Sequence, residues 1–242
     1  MTANISTLTK MFGTPIIKDK TYIFNHSNGL ENVSVRTSGG VNVIILPNEP
    51  IKGVLSIDLR AEQSCIVIQT NTVRASILAG YGCKFIMSPG TTFTRTAQFT
   101  LAEQKDIFIG KDCMFAEDVF VSNTDGHPIF NEVGERINHG KSVLIGDHVW
   151  LGRCAEILKG ASIESGSIVG ARSVVSGAIP PNSICVGSPA KVIRTGISFD
   201  RLTTARKPLL AEPYEPYVSY KPVDLSTNQL YQMAASVFIG NS

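Results

Sequence analysis

From Ile145 the chain counts in sixes: IGDHVW, LGRCAE, ILKGAS, IESGSI, VGARSV, VSGAIP. Position one of these units holds Ile145, Leu151, Ile157, Ile163, Val169 and Val175, and position five of the first five holds Val149, Ala155, Ala161, Ser167 and Ser173. The same register runs upstream through IGKDCM and FAEDVF, with Ile109, Phe115 and Val121 at position one and Cys113 and Val119 at position five. An amphipathic helix repeats every ~3.6 residues, so a pattern held at six over six consecutive units is not a helix.

Units of this kind build a prism of short parallel strands. Each unit supplies one flat face and one corner, and three units close a turn of 18 residues. The large aliphatic fills the axis and the small fifth residue fits the crowded corner. Gly or another small residue at position two eases the tight backbone of the turn. Turns stack at the ~4.8 Å spacing of paired strands, so no turn is stable alone. The sequence therefore predicts an all-β fold: a left-handed parallel β-helix of hexapeptide repeats, an exception to the usual right-handed crossover.

Ahead of residue 109 the rhythm loosens. VSVRTS, VNVIIL, GVLSIDL, CIVIQT, ASILAG, CKFIMS and FTLAE are strand-like runs between turn clusters, and they read as irregular early coils of the same helix. Three parts follow: an N-terminal arm or cap over 1–20, the β-helix over 21–195, and a C-terminal extension over 196–242. In the extension the Pro-rich stretch KPLLAEPYEPYVSYKPVD precedes STNQLYQMAASVF, read as a short helix opened by Ser226 as N-cap. Such a tail either covers an open end of the prism or clasps a neighbouring subunit.

The beat breaks once, at SNTDGHPIFNEVGERINHGKS, residues 122–142. This stretch is polar, carries Gly126, Pro128, Gly134 and Gly140, and cannot stack as hexads. It reads as a loop extruded from the prism, where binding residues usually sit. His127 lies near the loop's root with Pro128 stiffening the backbone behind it. A site close to a rigid scaffold is what a catalytic base needs. His148, at position four of its unit, reads as an outward-facing structural residue.

Composition limits the partners. Of 242 residues, 43% are hydrophobic and 17% charged, which suits a globular core, and a net charge of +2 gives no case for nucleic acid or a membrane surface. No apolar run approaches the roughly 20 residues that span a bilayer, and the first twenty residues show no secretory signal. Cys65, Cys83, Cys113, Cys154 and Cys185 are widely spaced with no CxxC, which suits a reducing cytoplasm and argues against a disulfide framework or a zinc knuckle. Cys154, on a regular hexad beside Arg153, reads as a scaffold residue rather than a reactive nucleophile. A γ-class carbonic anhydrase on this fold needs three zinc-binding histidines, two of them five apart. His127, His139 and His148 do not supply that spacing, so no metal is expected.

The hexads, TDGHPI, IGDHVWLG and the GSPAKVIR ending together resemble the hexapeptide-repeat acyltransferases. The resemblance is closest to capsular-polysaccharide O-acetyltransferases, especially those acting on polysialic acid. It rests on Lys111–Met114, Asn123–Ile129, Gly134–Lys141, His148–Arg153 and Ile157–Gly160, and spans about residues 105–195. It implies acetyl transfer from acetyl-CoA to a sugar hydroxyl, with His127 as general base, and Trp150 at the active site against the acceptor or the pantetheine arm; interface packing is the alternative for Trp150. The partner of the second His127 ring nitrogen is left among Asp125, Glu156 and a backbone carbonyl. Asn123, Asp125 and His139 are the acceptor-side candidates. Carried over by motif, coenzyme contacts fall on Arg153, Ala171, Ser176, Lys191 and Arg194. For the last two the alternative is a solvated basic tail. The family often has Lys where Gly177 stands, so one phosphate contact is missing or comes from elsewhere, with Arg172 a candidate. The resemblance also implies a homotrimer with sites between subunits. A small-sugar or antibiotic acetyltransferase and a non-catalytic β-helix scaffold are the competing readings.

Overall fold

The computed structural model describes residues 4–24, 30–201, 220 and 224–238. Among these the chain winds into a left-handed parallel β-helix of about 7 turns. Its three faces are sheets of nine, seven and six strands, here called A, B and C. Each regular turn passes along B, then A, then C, and returns to B one level further on.

From about residue 107 the register is strict. Trp150 pairs with Ile168, and Glu156 with Val174, so successive turns are offset by 18 residues. All six residues at position one from Ile145 to Val175 are buried in the axial core, as are the five at position five. The inward register is thus the one the hexads imply. Position two has a different cause from the one expected. A Cβ on Gly146 would stand 2.6 Å from the Ser165 nitrogen, and one on Gly152 2.6 Å from that of Ala171. Glycine there lets consecutive coils approach each other, and neither glycine takes a positive φ. The left-handed backbone falls instead at position four: Asp112, Asp118, His148, Cys154 and Arg172 have φ between 52° and 57°, and Gly160 and Gly166 share the region. Each such non-glycine residue costs on the order of 1 kcal/mol, which the stacked corners offset.

In the earlier coils the turns are longer. Val33 lies opposite Leu55 and Ala75 opposite Ala97, offsets of 22 residues. The extra residues sit in the corners, and face C has no described strand before Thr92–Phe93. That is why the sequence rhythm blurs there while the helix continues.

The earlier strands of face A, up to Ile107–Ile109, are largely apolar on both sides. In Cys65–Ile68, Ile66 and Ile68 point into the axial core, while Cys65 and Val67 join a second, outer cluster with Phe24, Val43, Ile45, Ile86 and Phe108. Two helices cover it: α1 (Ile5–Phe12) and α2 (Gln229–Ser236). Leu8 and Ala234 are buried in this layer, and the Asn4 amide donates to the Val237 carbonyl at 3.1 Å, so the two ends of the described chain meet. Tyr231 packs edge-on to Phe108 and donates its hydroxyl to Asp106 at 3.0 Å. Burial and the Asp106 carboxylate push that phenol up to about 12. The arm expected over 1–20 is, in its described part, α1 and the edge strand Ile16–Lys18, antiparallel to Thr21–Phe24.

The cap of α2 is Asn228, not Ser226. Asn228 accepts the Tyr231 amide at 3.0 Å, whereas the Ser226 hydroxyl is spent on Asp224 two residues back. At the far end, Ala190–Thr195 turns back antiparallel on Ser183–Gly187 and closes face C. Residues 196–201 then run beside the A–C corner. His148 is stacked between Phe199 at 4.1 Å and Tyr220 at 5.2 Å, and its Nδ1 lies 2.6 Å from Asp112, which also binds Arg201. His148 is thus the dock for the C-terminal extension. Apart from Tyr220 and Asp224, the Pro-rich stretch lies outside the described residues. No helix among the described residues is long and apolar enough to cross a membrane.

Candidate active site

The extruded loop leaves face B after Phe120–Ser122 and rejoins face A at Val143. Met114 pairs with Trp150 at an offset of 36 residues instead of 18, so the insertion is absorbed without breaking the ladder. Its outer part is a hairpin: Phe130 bridges Arg136, and the Ile137 amide donates to the Ile129 carbonyl at 2.9 Å. Ile129, Phe130, Val133 and Ile137 are all exposed on it.

The root of the loop is held from three directions. From the coil before, Glu103 accepts the Thr124 hydroxyl and an Arg136 N–H, each at 2.8 Å, and the Gly140 amide at 2.9 Å. That amide, with Arg136 and Thr124, holds the Glu103 carboxyl down at about 2. From the coil after, Lys159 binds the Asp125 carboxylate and donates to the Asn138 carbonyl at 3.0 Å. Within the loop, the Asn138 amide group donates to Asp125 and to the His127 carbonyl, both at 2.8 Å, and its oxygen accepts the Ile129 amide at 2.7 Å.

His127 is exposed inside this frame, as are Asp125, Gly126 and Pro128 beside it. Its carbonyl is tied down, while its ring has no hydrogen-bond partner among the described residues. Asp125 is not that partner: Lys159 first, and then Asn138, hold its carboxyl below its ordinary value. Asn123 is also not free to bind an acceptor through its side chain. It is fully buried, accepts the Ala102 amide at 2.8 Å and donates to the Lys105 carbonyl at 2.7 Å, so it pins the start of the loop. His139, next to Asn138, is exposed.

The other site candidates fall in two places. Arg153 and Ala171 stack one turn apart on the C–B corner, where the Arg172 amide donates to the Arg153 carbonyl at 2.8 Å. Lys191 and Arg194 lie on the outermost strand of face C. All are exposed, and none of Arg153, Arg172, Lys191 and Arg194 makes an ion pair among the described residues. Ser176 stands apart from them, exposed just after Val174–Val175 on the B–A side that carries the loop. Trp150, 40% exposed, starts face C beyond the A–C corner, with Phe199 at 6.0 Å. Within one chain, therefore, His127 and Trp150 stand at different corners of the prism. Among the described residues no group of three His, Cys, Asp or Glu is placed to hold a metal ion.

Glu103, Asn138 and Lys159 were not legible as site residues in the sequence. Glu103 and Lys159 are turn residues of other coils, and only the closing of the coils brings them to Asn138 at the root of the loop.

No family model matches the chain. Its sequence is 61% identical over 64 residues to a polysialic acid O-acetyltransferase of Neisseria meningitidis, over 26% of this chain and 30% of that one. A polysialic acid O-acetyltransferase of Escherichia coli O1:K1 / APEC is 35% identical over 139 residues, 57% of this chain and 45% of that protein. The chain thus spans less than half the length of these two curated relatives. The solved structure of the polysialic acid O-acetyltransferase OatWY superposes with a TM-score of 0.52 at 30% identity, covering 73% of this chain and 91% of its own. The chain belongs to the hexapeptide-repeat acyltransferases. Within that family it is similar to the polysialic acid O-acetyltransferases.

Proposed function

We propose that this chain transfers the acetyl group of acetyl-CoA to a hydroxyl of a capsular polysaccharide of the sialic-acid type, with His127 as general base. The observation that carries the reading is the state of His127: a ring left exposed and, among the described residues, unpartnered, on a backbone fixed by the coils before and after it. The imidazole takes the proton of the attacking hydroxyl as its oxygen adds to the thioester carbonyl. The oxyanion so formed is stabilised by backbone N–H donors at the corners. Collapse of the adduct expels the CoA thiolate, and the imidazolium returns the proton to sulfur.

The four cations Arg153, Arg172, Lys191 and Arg194, without an ion pair among the described residues, fit the phosphates of the coenzyme, which charge-assisted hydrogen bonds would hold. The separation of His127 from Trp150 supports a trimer in which the base of one prism meets the Trp150 side of its neighbour. Acceptor contacts then come from His139 and the loop's exposed face rather than from the Asn123 side chain. All five cysteines are free, as suits a reducing, cytoplasmic setting.

The test is mass spectrometry of the purified protein with acetyl-CoA and a glycan panel that includes polysialic acid and a simple galactoside. Acetylated polysialic acid, lost in His127→Ala with coenzyme binding retained, is the expected result. Turnover in His127→Ala equal to wild type would remove the base assignment, and acetylation of the galactoside alone would replace the polymer with a small sugar.

A further inference from the structure

Thr124, Asp125 and His127 lie on a short stretch in which almost every polar handle is anchored, yet the anchors come from distant parts of the sequence. Glu103 is 21 residues before Thr124, and Lys159 is 34 residues after Asp125. Asn138 joins the two. Only 7% exposed, it uses both sides of its amide: Nδ2 donates to Asp125 and the His127 carbonyl, while Oδ1 accepts from the Ile129 amide and, at 3.3 Å, from Arg136 Nε. Arg136 in turn binds Glu103. The result is a continuous chain of contacts, Glu103–Arg136–Asn138–Asp125–Lys159, running from the coil before the loop to the coil after it past the backbone of His127.

A loop thrown from a flat face gains little rigidity from its own sequence. Its exposed tip shows the contrast, since the hairpin at 129–137 is tied mainly to itself. We propose that Asn138, held by Lys159 and Glu103, is the positioning residue that sets where the His127 imidazole stands relative to the acceptor hydroxyl. This rests on His127 being the base. The chain of contacts touches the His127 backbone and leaves the ring alone, as a device for aiming a proton acceptor should. Both carboxylates in it are held in their charged forms, Glu103 at about 2 and Asp125 below its ordinary value, so the chain of contacts stays intact through the neutral range.

The experiment compares Asn138→Ala, Lys159→Met, Lys159→Arg and His127→Ala in the full-length protein, with acetyl-CoA and polysialic acid oligomers as substrates. Asn138→Ala removes the bond to the His127 carbonyl. Lys159→Met removes the donor from the coil side, and Lys159→Arg restores one. A displacement of about 1 Å at a reacting group costs on the order of 100-fold in rate. Asn138→Ala and Lys159→Met are therefore expected to lower kcat by about 100-fold while the KM for acetyl-CoA stays within about twofold. Lys159→Arg should recover most of the loss. If Asn138→Ala does not fold, the two Lys159 variants decide the question alone.

Wild-type kcat in Lys159→Met overturns the proposal, and so does a fall in thermal stability with kcat per folded molecule unchanged, which is what a merely structural role would give. His127→Ala separates the two levels. If it is inactive while the frame variants are fully active, only the positioning role fails. If it is active, the base assignment fails and the positioning role goes with it.

Discussion

Faces A and B of the prism are built on the same ladder and bury different things. On face B each strand has a wet side and a dry side: in Val54–Leu59, Leu55, Ile57 and Leu59 point inward while Val54, Ser56 and Asp58 point out. On face A the neighbouring strand Cys65–Ile68 is dry on both sides. A strand covered on both faces loses the alternation of polar and apolar residues and reads as a continuous hydrophobic run. A β-helix thus need not be a single core. This one has an axial core and a second layer completed when α1 and α2 come together over face A.

The largest blow to this pair of layers should fall on the axial one. Ile157→Asp puts an unpaired charge at a fully buried position whose neighbours are the aliphatics of the coils above and below. A loss of more than about 4 kcal/mol is expected, enough to prevent folding of the regular coils. Expression as a folded, cooperatively melting protein would show that Ile157 does not face the axis.

The second layer should break more gently and more locally. Phe108 is buried entirely against face A's outer side and the Tyr231 ring. Phe108→Ala is expected to cost about 3 kcal/mol. Hydrogen exchange should rise in α1 and α2 well before it rises in residues 143–185. Equal loss of protection in helices and coils would mean that the two layers are one cooperative unit and that the distinction drawn between the faces is wrong.

The same contrast explains what the sequence shows and what it hides. The coils from 109 to 185 are legible because each position repeats its environment every six residues, and the inward set from Ile145 to Val175 repeats the same choice at every turn. The extruded loop is legible for the opposite reason, as the one stretch that breaks the count. The outer layer leaves a trace in the sequence: Val43–Ile45 and CIVI are apolar without alternation, which a one-sided strand does not need. What covers them could not be read locally, because α1 and α2 lie at opposite ends of the sequence. His127 was visible through its motif, whereas its frame was not. Glu103, Asn138 and Lys159 gain their meaning only from corners that stack in three dimensions, and Asn123, which looked like an acceptor contact, is consumed by the Ala102 and Lys105 backbone.

Where faces B and A meet, the loop's attachment supplies the smallest effect and the sharpest one to measure. The Glu103 carboxyl is lowered from 4.5 to about 2, first by the Gly140 amide and then by Arg136 and Thr124. A group whose pKa is depressed on folding contributes stability above its unfolded value and loses it as protons bind the folded form. The Glu103 contribution is therefore complete above pH ~4.5 and fades between there and about pH 2, and at this partly exposed site it amounts to about 1 kcal/mol. Hydrogen exchange, corrected for its intrinsic pH dependence, should show residues 124–142 losing protection as pH falls through this window while the axial strands keep theirs. Glu103→Gln should lose the same protection at neutral pH and flatten the slope. An unchanged slope in Glu103→Gln would mean that the carboxylate does not hold the loop, and that the face B–face A corner is rigid through its backbone alone.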